Sequence, residues 1–470
     1  MLLTSGLSLL YGENDFYAFI QSAIGTLSIG IITAWLTRGK IALSTKDGFA
    51  IVTLTWVVTA LASAFPFYLS GYIPNFTDAF FESMSGVTTT GASILGNIQT
   101  SPHLENGIES LSHAILFWRS FIQWIGGMGI IVFTIAILPL LGVGGVQLFK
   151  AEVPGPVADK ISPRVRETAK YLWLIYVGFT LAEIFLLGVS GMDWFDSVCH
   201  SLTTMPTGGF STKNASIAFY DNSVIHYIII FFMFAAGINF SLHFRALRGD
   251  VKSYIKDREF RNFLGLALFV TMVIFISRLV QTQEFNHENI RDSLFQTVSI
   301  VTTTGYGSAD YELWLPVAKF LLLSLMFIGG MGGSTGGGIK IVRVMLILKY
   351  IAMETRRLLH TRAIIPMQIG GKHVSSDVVR NTLGFFLFYI FIFALTTLLL
   401  TMMNVDLISS IGASASALGN IGPALGNFGP SDNYALLHPL GKWLLSFCML
   451  LGRLEIFTVM VFLSRSFWKK

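Results

Sequence analysis

Long apolar stretches alternate with short polar ones along almost the whole chain. Runs of about 20 apolar residues, enough to cross ~30 Å of hydrocarbon as helix, fall at 16–36, 49–69, 111–141, 171–190, 223–244, 262–280, 383–403 and 440–463. A further one, 315–328 continued by 339–351, is interrupted. Residues 1–10 (MLLTSGLSLL) are apolar but too short to cross, and they lack the basic start and cleavage site of a signal peptide. They are expected to be the trimmed end of a further span, or the true start lies upstream.

Between pairs of spans the polar text repeats. It reads TDAFFESMSGVTTTGAS (77–93), FDSVCHSLTTMPTGGFS (195–211), RDSLFQTVSIVTTTGYGS (291–308) and, more weakly, VDLISSIGASASALGNIGP (405–423). Aligning glycines matches Gly91, Gly208, Gly305 and Gly422, separated by 117, 97 and 117 residues. About thirteen positions ahead of the first three stand Asp78, Asp196 and Asp292; Ser409 stands thirteen ahead in the fourth, with Asp406 sixteen ahead. Asp or Ser there is expected to cap a short helix of about three turns. The unit is therefore span, short helix, hydroxyl- and glycine-rich strand, span.

Irregular backbone at membrane depth is tolerated only when buried in protein or lining a water-filled cavity. A helix entering halfway aims the negative end of its dipole at the centre, and four such ends on one axis make a site for a cation. Extended backbone after each helix can turn carbonyls inward, Thr hydroxyls add neutral oxygens, and glycine supplies the required backbone angles. Thr89, Thr90, Gly91, Thr207, Gly208, Thr303, Thr304, Gly305, Asn420, Ile421 and Gly422 thus read as a selectivity filter binding K⁺. The strands carry no carboxylate, the nearest acids being Glu82 and Asp310. Neutral oxygens suit a dehydrated monovalent ion, whereas a ring of acids would suit Ca²⁺.

FIGGMGGSTGGGIK (327–340) is half glycine, so a continuous helix is not expected, at about 1 kcal/mol per Gly relative to Ala. Lys340 does not follow a glycine with Ser/Thr after it, so the nucleotide-loop pattern fails. Gly329, Gly330, Gly332, Gly333, Ser334, Thr335, Gly336, Gly337 and Gly338 read instead as a gate below the filter. The matching points elsewhere are GGMG (126–129), GIN (237–239) and GRLE (452–455). Arg453 and Glu455 lie inside an apolar span, where ions face a cavity or pair with each other. Arg453 is expected to face the pathway, bond the 329–338 loop and add a positive barrier; the alternative is a structural ion pair with Glu455 or another acid. Glu183 and Arg119 carry no expectation beyond interhelical bonding.

Composition agrees: 53% hydrophobic and 13% charged residues place the chain in the membrane class. The net charge of +5 does not signal nucleic acid, because Lys and Arg cluster at 38–46, 150–170, 245–261, 340–380 and 465–470, while 67–118 has none. That alternation marks the basic loops and the C-terminus as cytoplasmic. Cys199 and Cys448 have no motif spacing and are expected to be unpaired core residues. The expected fold is an all-α multi-span membrane protein, with four pseudo-symmetric span–pore helix–filter–span repeats around one central pore. Residues 1–46 form an N-terminal extra-helix region, and 47–150, 151–249, 250–353 and 354–470 are the repeats.

DAFFESMSGVTTTGA (78–92), QWIGGMGIIV (123–132), AEVPGP (151–156), GGFST (208–212), SLHF (241–244), FIGG–GSTGGGIK (327–340) and GRLEIFT (452–458) resemble the Trk/Ktr/HKT superfamily of potassium transport proteins. The chain is most similar to the Trk-type bacterial potassium uptake membrane subunit. The resemblance implies a homodimer in the bacterial inner membrane, no organic cofactor in this chain, and a cytosolic ring of nucleotide-binding regulatory subunits. It matches Gly91, Gly208, Gly305 and Gly422 with filter glycines, 329–338 with the intramembrane loop and Arg453 with the pore-facing arginine. It also marks Gly91 as favouring K⁺, since serine there distinguishes sodium-preferring relatives. Two departures stand out: TTTGYGS in the third segment and Met205-Pro206 in the second. The implied activity is K⁺ uptake driven by the membrane potential, with no enzymatic reaction; the rival is an ion-coupled K⁺/H⁺ or K⁺/Na⁺ symporter.

Overall fold

The computed structural model describes residues 1–38, 45–96, 107–136, 165–360, 367–369 and 372–468. The basic stretches 39–44 and 137–164, with the AEVPGP motif and the expected repeat boundary at 150/151, lie outside the described residues. Each repeat opens with a long span: Thr45–Leu69, Val165–Val189, Arg258–Thr282 and Ser376–Met402. At 25 to 27 residues and ~1.5 Å each, these exceed the hydrocarbon thickness and cross with some tilt. Their outward faces carry large apolar side chains such as Leu181, Phe185, Phe269, Leu387 and Phe391, as lipid requires. Five described helices are long and apolar enough to cross a membrane, or seven counting two bent pairs. This is a helical membrane protein.

Each span is followed by a short helix: Phe76–Val87, Trp194–Thr204, His287–Val301 and Leu407–Gly419. At 11 to 15 residues they reach about halfway across. Their C-terminal halves are wholly buried, Ala79 through Val87 in the first and Gly412 through Gly419 in the fourth. They are therefore packed within the protein. The expected caps are corrected by one turn or more. The capping side chains are Asn75, Asp193, Asn286 and Asp406, each accepting a backbone N–H at 2.8–3.0 Å. Asp78, Asp196 and Asp292 lie inside the helices and use their carboxylates otherwise. Asp78 pairs with Lys442 of the fourth repeat at 2.5 Å. Asp196 accepts from Thr212 and Tyr220 at 2.7 Å, and Asp292 from Ser308 at 3.3 Å.

The second spans differ most from the expectation of continuous helix. His113–Ala136 is unbroken, but 223–244 divides into Ser223–Ala236 and Phe240–Leu247, bent by 102°. Likewise 440–463 divides into Pro439–Arg453 and Phe457–Leu463, bent by 115°. In the first break Asn239 starts a new helix by accepting from Ser241 N–H; in the second Glu455 and Ile456 both take positive φ. The third repeat breaks as predicted: Pro316–Met326, then Ile328–Gly329 pairing in parallel with Ile339–Lys340, then Ile341–Leu359. That last helix runs past the expected repeat boundary at 353/354.

At the N-terminus Leu2–Leu10 and Phe16–Leu36 form a hairpin. Its turn caps a neighbour in trans, Glu13 accepting the backbone N–H groups of His113 and Ala114 at 2.6 and 3.0 Å. Cys199 and Cys448 are free and buried, as their isolation in the sequence predicts.

Candidate functional site

All four short helices end in the same way. The residue just past the end adopts a left-handed conformation: Thr89, Thr207, Thr303 and Asn420, with φ of 51°, 57°, 60° and 54°. Its N–H turns back three residues, to Gly86, Thr204, Ile300 and Ala417 oxygens, at 2.8–3.4 Å. The next N–H (Thr90, Gly208, Thr304, Ile421) reaches back five, to Ser85, Thr203, Ser299 and Ser416, at 2.8–3.0 Å. This is the Schellman termination, normally completed by glycine. A β-branched residue there costs about 1–2 kcal/mol and persists only where its surroundings impose it.

The strands leaving these turns close on one another. A Cβ added to Gly91 would strike the Gly208 carbonyl oxygen, one on Gly209 the Thr304 oxygen, one on Gly305 the Ile421 oxygen, and one on Gly422 the Thr90 oxygen. The contacts run from repeat one through two, three and four back to one. The four segments therefore share an axis, with carbonyls of Thr90, Gly208, Thr304 and Ile421 in one ring. The glycines above that ring have φ of 82°, 74°, 81° and 105°, and they are Gly91, Gly209, Gly305 and Gly422. The second strand is thus one residue out of the expected register: Gly208 matches Thr90, and Gly209 is the true counterpart of Gly91. The Gly-Gly doublet fits either alignment on paper; the backbone turn at Thr207, one residue after Pro206, selects one.

Each seam of the ring is held by a hydrogen bond from behind. Between repeats one and two, Gln123 donates to Gly208 O at 2.7 Å and accepts from Phe210 N. Between two and three, the Tyr306 hydroxyl reaches the second short helix. Between three and four, Tyr311 donates to Ala424 O at 2.7 Å. Between four and one, Asn420 donates to Thr90 Oγ1 at 3.0 Å. Oxygens remain open as well: Thr89 Oγ1 and Asn420 Oδ1 are buried and have no hydrogen-bond partner among the described residues.

Further support comes nine residues ahead of three of the four ring glycines, Gly91, Gly209 and Gly305. Glu82 accepts from Ser93 Oγ, Ile94 N and Arg119 Nε at 2.9–3.0 Å; His200 bonds Ser211 Oγ at 3.0 Å; Gln296 donates to Ala309 O at 3.1 Å. Three different side chains thus hold three equivalent exit strands. The shared offset was not visible in the sequence, because His200 stands eight residues ahead of Gly208 and nine ahead only of Gly209. Arg119 does more than bond helix to helix, since it also donates to Ser211 O at 3.0 Å and lies over Phe210. Removing one partner of a buried ion pair strands the other charge, at about 3–5 kcal/mol. Glu82→Gln is therefore expected to lower the melting temperature sharply in detergent, measured by thermal unfolding with size-exclusion readout. Glu183 is fully buried in its span, with the Thr204 side chain of the second short helix beside its carboxylate.

Above the ring a cavity opens, lined by Gly91, Gly209, Gly305 and Gly422 together with Lys213 and Asp432. Below it lies the glycine-rich loop. Gly337 N–H donates to Thr303 Oγ1 at 2.7 Å, so loop and filter residues touch directly. Met331 N bonds Gly237 O at 2.9 Å and Phe240 N bonds Gly333 O at 3.2 Å, which uses backbone groups freed by the break in the second repeat. Glu259 accepts from Gly332 N at 2.7 Å. Arg453, 2% exposed, donates to Thr335 O at 2.7 Å and to Gly126 O at 3.2 Å, bolting the loop to the first repeat. The alternative pairing with Glu455 does not form; that carboxylate takes Arg343 at 2.5 Å.

Four half-crossing helices converging on a carbonyl ring inside a helical membrane protein define a class built for passing ions. Comparison with known proteins agrees. The family model described as a cation transport protein, TrkH, matches residues 16–470, and the chain belongs to that family. The Trk system potassium uptake protein TrkH of Escherichia coli K12 is 41% identical over 479 aligned positions, covering 100% of this chain and 96% of that protein. The TrkH of Halomonas elongata is 40% identical, covering 99% and 95%. The crystal structure of the potassium transporter TrkH from Vibrio parahaemolyticus superposes with a TM-score of 0.89 at 37% identity, covering 100% and 96%.

Proposed function

We propose that this chain carries K⁺ across a membrane through the ring formed by Thr90, Gly208, Thr304 and Ile421. The observation that carries the proposal is the closed circuit of glycine-to-carbonyl contacts, a geometry able to replace an ion's lost water with uncharged oxygens. Thr89, Thr207 and Thr303 stand at the helix ends, where the dipoles are negative. The loop 329–338 with Arg453 forms the gate: the backbone crosses beneath the ring, and a buried guanidinium repels an arriving cation. Inward movement draws on the membrane potential, ~2.3 kcal/mol per charge per 100 mV. About 150 mV then sustains a gradient of roughly 300-fold.

By resemblance to the family, the chain works as a homodimer in the bacterial inner membrane with its C-terminus cytoplasmic. A cytosolic ring of nucleotide-binding subunits opens the gate, and the chain itself performs no chemical reaction. The deciding experiment is Rb⁺ or K⁺ influx against Na⁺ through purified protein in liposomes. Influx that prefers K⁺ and reverses at the K⁺ potential regardless of pH supports the reading; no K⁺ flux, or a pH-dependent reversal, overturns it. Because Glu259 holds the loop at Gly332 N, Glu259→Ala is expected to raise basal Rb⁺ uptake a few-fold. Such an increase corresponds to about 1 kcal/mol, the scale of one lost hydrogen bond.

A further inference from the structure

Tyr306 follows the ring glycine of the third strand, yet its side chain serves the second repeat. It is fully buried. Its hydroxyl donates to His200 O at 2.9 Å, bonds Thr203 Oγ1, and accepts from Thr204 Oγ1 at 3.3 Å. All three partners lie in the last two turns of the second short helix, Trp194–Thr204. Thr203 is the pivot. Its carbonyl accepts from Gly208 N at 2.8 Å and Gly209 N at 3.3 Å, setting the second strand, while its hydroxyl holds Tyr306. One residue thereby fixes the spacing of neighbouring ring members, Gly208 and Thr304. The other strands offer no equivalent at this position, where Ala92, Phe210 and Pro423 have no hydrogen-bonding side chain.

We propose that Tyr306 is a positioning residue that sets K⁺-over-Na⁺ preference by holding the seam between the second and third strands open. This rests on the filter reading given above. Carbonyl oxygens in a ring repel one another, and a ring free to move can contract onto Na⁺, whose smaller radius demands shorter oxygen distances. A strut that ties the third strand outward to a buried helix opposes that contraction. The aromatic ring supplies bulk; the hydroxyl supplies the fixed length.

Tyr306→Phe keeps the bulk and removes the hydroxyl, and Thr203→Val keeps the shape and removes its partner. In liposomes with matched protein content, each is expected to raise Na⁺ permeability relative to K⁺ by about five- to tenfold, the effect of one or two buried hydrogen bonds. The double variant is expected to show no more than the larger single effect, since both remove one interaction. A merely structural role would lower the melting temperature and leave the permeability ratio unmoved. A wild-type ratio in Tyr306→Phe overturns the proposal, as do additive effects in the double variant. If Tyr306→Phe does not fold, Thr203→Val decides by the same ratio. Wild-type protein with no K⁺ preference would defeat the filter reading itself, a distinguishable outcome.

Discussion

Replacing Gly91 by serine is expected to raise Na⁺ permeation relative to K⁺ by about thirtyfold and to reduce K⁺ flux. Gly91 has φ of 82°, a region L side chains enter at about 1–2 kcal/mol. A Cβ at this position would also strike the Gly208 carbonyl oxygen of the neighbouring strand. The strand must either rotate, turning a carbonyl out of the ring, or push Gly208 away. Both outcomes replace part of the oxygen cage by a serine hydroxyl or water, which a small, strongly hydrated ion tolerates better than K⁺. About 2 kcal/mol of lost discrimination corresponds to that thirtyfold change. Bi-ionic reversal potentials, or paired ²²Na⁺ and ⁸⁶Rb⁺ uptake in liposomes, measure it directly. An unchanged ratio would remove Gly91 from the filter.

The second large effect is expected below the ring. Arg453→Ala should raise basal Rb⁺ uptake by about tenfold or more. A guanidinium within 4–8 Å of a passing ion opposes it by about 2–4 kcal/mol at an effective dielectric near 20. The same side chain ties Thr335 O to Gly126 O, so its loss also frees the loop from the first repeat. Arg453→Lys separates the two contributions. A lysine keeps the charge but cannot reproduce the fork that reaches two carbonyls at once. Flux that rises as much in the lysine variant as in the alanine variant assigns the block to the tether; flux that stays low assigns it to the charge. Flux unchanged in both would take Arg453 out of the pathway.

The fourfold plan was legible because it is written twice in every repeat, once as membrane-length apolar text and once as hydroxyl- and glycine-rich text between the spans. The break at 327–340 was legible because its glycine density opposes helix regardless of context. The capping residues were misplaced, since Asp78, Asp196 and Asp292 fit a helix start by type, whereas the chain turns earlier at Asn75, Asp193 and Asn286. The breaks after Ala236 and Arg453 were hidden for a different reason. Their text is apolar enough for continuous helix, and what stops it is partnership with the loop, which lies almost a hundred residues or more away in sequence.

The apolar and polar periodicities by themselves determined that this chain crosses a membrane, that it does so in four related units, and that neutral oxygens gather where the units meet. Burial and hydropathy are local properties of composition, so a linear text carries them. The register of the ring, the choice of Gly209 over Gly208, the Tyr306 strut and the partner of Arg453 were decided only in three dimensions. Each depends on which backbone oxygen of one repeat faces which atom of another, and that adjacency exists only once four distant segments have closed around a single axis.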